Sequence, residues 1–99
     1  MGYNLLTPKE IAKNLAERHK NLRLSKKWKR TTLAERSGVS VASLIRFEQT
    51  AQISLDNFLN LLSALGRLDE IQGLLLPPEA ASIEELEERD VRKTKRGII

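Results

Sequence analysis

Counting from Arg30, the fifth residue is Ala34, the ninth is Gly38 and the fifteenth is Leu44. A small residue at the fifth place lets two short helices approach closely. A glycine at the ninth supplies the left-handed turn between them, and an apolar residue at the fifteenth locks the second helix onto a third. The spacing therefore predicts a bent pair of helices, about 30–36 and about 41–48, with Ser40 as the cap of the second. Leu44 and Phe47, three apart, face inward.

The surrounding chain supplies further helices. Thr7-Pro8-Lys9-Glu10 reads as a capping box with proline at the first helical position, which predicts helix 1 over about 8–25 with Ile11, Leu15 and Leu22 near one face. Ser54 opens a helix whose Leu55, Phe58, Leu59, Leu62 and Leu65 follow the helical period until Gly66. Leu68–Leu75 is expected to form a short fifth helix, closed by Pro77-Pro78. Beyond the prolines, Ser82-Ile83-Glu84-Glu85 begins a short acidic helix, and Arg92–Ile99 is a basic tail. The expected organisation is a domain over 1–76 and a C-terminal unit over 77–99.

With 99 residues there is room for one small core. The absence of cysteine removes disulfides, thiolate metal sites and a cysteine nucleophile together. His19 is the sole histidine, so no metal set is expected, and it reads as a residue at the rim of the core. No cofactor is expected. The chain has no histidine-partnered nucleophile, no glycine-rich phosphate loop and no metalloprotease motif, so an enzyme is not expected. Met1–Glu10 lacks the apolar stretch of a secretory signal and no apolar run suits a membrane span, which predicts a cytoplasmic protein with no membrane partner.

Charge is divided along the chain. Residues 1–50 carry eleven Lys and Arg against four acids, residues 51–91 two against nine, and residues 92–99 four bases and no acid. The first half is a candidate polyanion-binding face.

From Leu15 to about Leu75 the chain resembles the helix-turn-helix domains of the Cro and lambda-repressor-like class, the XRE family. The residues that carry the likeness run from Trp28 to Ser40, with Leu44, Phe47 and Glu48 after them. The resemblance implies an all-α, five-helix DNA-binding domain that works as a homodimer on an inverted-repeat operator in double-stranded DNA, as a transcriptional repressor. It also implies that Arg23 pairs with Glu48 and fixes the recognition helix against helix 1. Two departures stand out: Lys29-Arg30 replaces the usual Thr-Gln at the start of helix 2, and Lys27 stands where glycine is usual.

Carried onto this sequence, the family's DNA-contacting positions are Arg30 for phosphate with Thr31 beside it, Val41, Ala42 and Arg46 for base edges, and Ser40 and Ser43 for either. Arg46 has the donor fork that suits guanine O6 and N7, while Val41 and Ala42 suit a thymine methyl. Trp28 reads as core rather than a base-stacking platform. A narrower resemblance, to HipB-type antitoxins encoded beside HipA-type kinases, gives an alternative. In it the main role is to hold a HipA-like toxin kinase through a surface outside the recognition helix. The surplus of Leu68, Ile71, Leu74, Leu75 and Leu76 suits either core or dimer burial.

Overall fold

The computed structural model describes residues 6–78. Helices α1 (Pro8–Ser25), α2 (Arg30–Ser37), α3 (Val41–Thr50) and α4 (Leu55–Ala64) are followed by a single-turn 3-10 helix, Leu68–Ile71. There is no strand among the described residues. The expected C-terminal unit lies outside the described residues apart from Pro77 and Pro78.

Three of the four α-helices start on a hydroxyl. The Thr7 hydroxyl accepts from the Glu10 N–H at 3.1 Å, and the Glu10 carboxylate accepts from the Thr7 N–H at 2.9 Å, closing the capping box. That Thr7 backbone N–H, aided by the Thr7 hydroxyl, holds the Glu10 carboxyl below its ordinary range. Ser40 caps α3 and Ser54 caps α4, each accepting at 3.1 Å from the residue three further on. Lys29, before α2, offers no side-chain acceptor.

The ends of α1 and α4 close with the same pair of backbone bonds. After α1, the Lys27 N–H donates to Leu24 O at 2.8 Å and the Trp28 N–H to Arg23 O at 3.2 Å; after α4, the Gly66 N–H donates to Ser63 O at 3.1 Å and the Arg67 N–H to Leu62 O at 2.8 Å. This motif needs one left-handed residue, and it is Gly66 at φ 75° in one case and Lys27 at φ 60° in the other. The lysine thus takes the conformation that a glycine would, at a cost of about 1 kcal/mol, and the turn keeps its course.

α1 packs on α3, α2 packs on both α3 and α4, and the 3-10 helix packs on α4. Leu33, Leu44 and Leu61 are fully buried, and Ala16, Val39, Phe47 and Leu65 complete the core. Phe47 meets the rings of His19 and Phe58 edge-on, at centroid distances of 5.1 and 5.8 Å.

The helical faces differ from expectation in α1 and α4. α1 buries Ala16, His19 and Arg23, while Ile11 and Leu15 are exposed and Leu22 is half-buried. The reason is its neighbour: α3 offers Phe47 and Glu48 to that side, which suit a ring and a guanidinium better than a branched chain. In α4 Leu61 and Leu65 are buried, and Leu55, in the first turn, lies in solvent. The fifth helix is one 3-10 turn rather than an α-helix over 68–75. Gly73 lowers helix propensity by about 1 kcal/mol, and Leu75 takes the left-handed conformation at φ 67°, which no helix continues through.

Candidate nucleic-acid interface

α3 divides its side chains by the helical period. Leu44 and Phe47 enter the core, and the opposite face presents Ala42, Arg46 and Gln49 to solvent, with Ile45 half-buried among them. Ser37-Gly38-Val39-Ser40 joins α3 to α2. Gly38 takes φ 79° with nothing near the place of a missing Cβ, so conformation rather than space calls for glycine. Val39 is buried and anchors the turn.

Behind α3 lies a charged cluster centred on Glu48, whose side chain is 1% exposed. Arg23 binds it with two donors, Nε to Oε2 at 2.9 Å and Nη2 to Oε1 at 3.1 Å, and its Nη1 donates to the Trp28 carbonyl at 2.8 Å. Arg30 donates Nε to Oε1 at 3.0 Å. One carboxylate therefore joins α1, the start of α2 and the end of α3. Burial pushes the Glu48 carboxyl up, but the hydrogen bonds from Arg23 and Arg30 outweigh it and hold the carboxyl below its ordinary range.

His19 completes the cluster from α1. Its Nδ1 is 3.4 Å from Glu48 Oε2, and neither ring nitrogen has a hydrogen-bond partner. Burial drives its pKa below the ordinary value; Glu48 opposes this and Arg23 reinforces it. His19 is thus more deeply buried than a core-rim residue, and its burial favours the neutral ring.

The residues singled out from the sequence fall into two groups. Val41, Ala42, Ser43 and Arg46 share α3, with Ser40 at its cap. The Ser40 hydroxyl donates to the Ser43 hydroxyl at 3.0 Å while accepting from the Ser43 N–H, so both are tied into the helix start. Arg30 and Thr31 form the first turn of α2, where Thr31 is exposed and the Arg30 side chain is 35% exposed. Arg30 uses Nε on Glu48, and its two Nη groups make no hydrogen bond among the described residues. Arg46 lies in solvent with Nε and Nη2 both donating to the Gln52 side-chain oxygen Oε1, at 3.2 and 2.6 Å.

Gln49 and Gln52 did not emerge from the sequence. The signal for Gln49 was available, since it lies three residues after Arg46 and seven after Ala42. Gln52 follows the helix end, where periodicity stops. Trp28 is half-buried against the core, and its ring carries two cations, Arg36 at 4.5 Å and Lys26 at 5.4 Å. Lys26, Lys27 and Lys29 are exposed around the α1–α2 turn, which adds positive charge to one flank of the helix pair.

Two helices joined by a left-handed glycine, the second bare on its outer face, define a helix-turn-helix domain. The family described as helix-turn-helix matches residues 20–71, just over half of the chain. The chain belongs to this Cro/C1-type, or XRE, helix-turn-helix family, whose domain binds DNA and is generally non-enzymatic. No curated protein and no solved structure matches it. Among the described residues no helix is long and apolar enough to cross a membrane.

Proposed function

We propose that this protein is a sequence-specific transcriptional repressor of the cytoplasm that binds an inverted repeat in double-stranded DNA as a homodimer. The observation that carries this reading is the division of α3: one face is pinned to α1 and α2 through Glu48, and the other presents Ala42, Arg46 and Gln49 to solvent. A helix held so firmly can enter the major groove without the domain rearranging. Val41 and Ala42 then meet thymine methyls and Arg46 meets a guanine.

Phosphate binding falls to the flanks. The start of α2 has no side-chain cap, which leaves its first N–H groups for an anion beside the Nη groups of Arg30 and the Thr31 hydroxyl. On α3 the Ser43 hydroxyl hydrogen is the free donor of the serine pair. Leu74, Leu75 and Leu76 are all exposed, Leu75 at 92%, which supports burial against a second protein surface. We assign that surface to the dimer mate; a HipA-like toxin kinase, held as an antitoxin holds its toxin, is the second reading of the same leucines.

Footprinting on DNA selected from a random pool tests the proposal. Two half-sites about one turn, roughly 34 Å, apart are expected. With about four phosphates neutralised per subunit, log K falls with log salt at a slope of about −7. A single unpaired half-site, or binding indifferent to salt, overturns it.

A further inference from the structure

We propose that Gln52, on the loop after α3, is a positioning residue that presets Arg46 for end-on contact with a guanine. The proposal rests on the DNA-binding reading above and adds a determinant of specificity outside the recognition helix.

The loop makes Gln52 a fixed support. Ala51 ends α3 at φ 63° with its N–H on Phe47 O at 2.8 Å, and both Ala51 and Ile53 pack against the core. Gln52 is therefore an exposed residue between two anchored ones. Thr50 tightens the same corner, donating its hydroxyl to Arg46 O at 2.6 Å and accepting from the Gln52 N–H at 3.3 Å. The backbone of Arg46 and that of Gln52 are thus tied through one threonine, and their side chains meet again above it.

The contact selects one edge of the guanidinium. Nε and one hydrogen of Nη2 point to the Gln52 oxygen. Nη1 and the second Nη2 hydrogen remain, and they form the end-on fork that matches guanine O6 and N7. A lone arginine at a solvent position samples many rotamers and either fork. With Gln52 accepting, the side edge is occupied and the stem is held, so less freedom is lost when the fork meets a base. Glutamine also achieves this without neutralising the positive charge that faces DNA, as a carboxylate in its place would.

Selection from a randomised duplex pool with purified full-length protein tests this, comparing wild type with Gln52→Ala, Gln52→Glu, Arg46→Ala and the Arg46→Ala/Gln52→Ala double variant. Gln52→Ala is expected to lower the guanine preference at the Arg46 position by about 2- to 10-fold, the ordering cost of one long side chain, and to leave the other positions alone. Gln52→Glu keeps an acceptor oxygen and so retains that preference while binding every sequence more weakly. The double variant should match Arg46→Ala. If wild type selects a motif and Gln52→Ala selects the same one, this inference alone fails. It also fails if Gln52→Ala changes the motif in the Arg46→Ala background, which makes Gln52 a reader itself, or if Arg46→Ala weakens all sequences equally, which makes Arg46 a phosphate ligand. A wild-type protein that selects no motif overturns the DNA-binding reading and this inference with it.

Discussion

Each face of α3 takes part in a pairing of an arginine with an oxygen acceptor, Glu48 with Arg23 of α1 on the inner face and Arg46 with Gln52 on the outer, and the two pairs are built for opposite purposes. On the inner face Arg23 grips Glu48 with two donors, both side chains buried, and the half-buried Arg30 shares the carboxylate. On the outer face Arg46 rests on a neutral amide in full solvent. The inner pair cannot lose a member without stranding a buried charge. The outer pair can, because water takes the place of either partner. The contrast separates the arginine that fixes the helix, Arg23, from Arg46, the one we propose for base selection.

The severest way to break the comparison is Glu48→Ala. It leaves Arg23 buried without its carboxylate and releases Arg30, and a loss of about 3–5 kcal/mol is expected, most of the stability of a small domain. Urea unfolding measures it, and a loss below about 1 kcal/mol would show that the cluster does not hold the three helices together. Arg46→Ala should leave stability within about 0.5 kcal/mol. It should cost about 1–3 kcal/mol at one base position per half-site. Arg30→Ala, in contrast, should weaken all DNA sequences alike while also lowering stability, since this residue serves both phosphate and Glu48. A selected motif that changed with Arg30→Ala and not with Arg46→Ala would reverse the assignments.

Acid separates the two faces further. The folded-state pKa of His19 lies below 6.5, so the unfolded chain binds its proton first, and stability falls as pH drops below about 6.5. The folded-state pKa of Glu48 lies below 4.5; its contribution is present above that value and is lost as pH falls through the folded pKa. Melting temperature should decline from pH 7 to pH 5, and His19→Phe should flatten that decline. An unchanged slope in the variant would remove His19 from the account. The smallest effect concerns the turn that brings the Trp28 carbonyl to Arg23. Lys27→Gly relieves the left-handed lysine but loosens the unfolded chain, for a net gain of up to about 1 kcal/mol, or a few degrees in Tm. A drop in Tm would mean that the lysine side chain contributes more than its backbone costs.

Much of this arrangement was legible because it is local. Ala34, Gly38 and Leu44 announce the helix pair, and Thr7, Ser40 and Ser54 announce helix starts, since a cap acts within three residues. The Arg23–Glu48 pair came from family resemblance rather than periodicity. Arg30 was expected on phosphate, and its second role at Glu48, eighteen residues away, depends on how α2 and α3 cross. Gln52 is not legible for a similar reason: beyond a helix end, no period says which way a side chain turns. The single 3-10 turn at Leu68–Ile71 is not legible in the sequence, because Leu68, Ile71, Leu74 and Leu75 are spaced as a helix would space them, and the left-handed backbone at Leu75 shows only in the structure.

The partition of α3 also bears on how such a protein diverges. Positions 42, 46 and 49 lie in solvent and touch no core residue's place, whereas 44, 47 and 48 are committed to folding. After gene duplication, a copy can exchange its outward residues one at a time, drift to a new target site, and stay folded at every step.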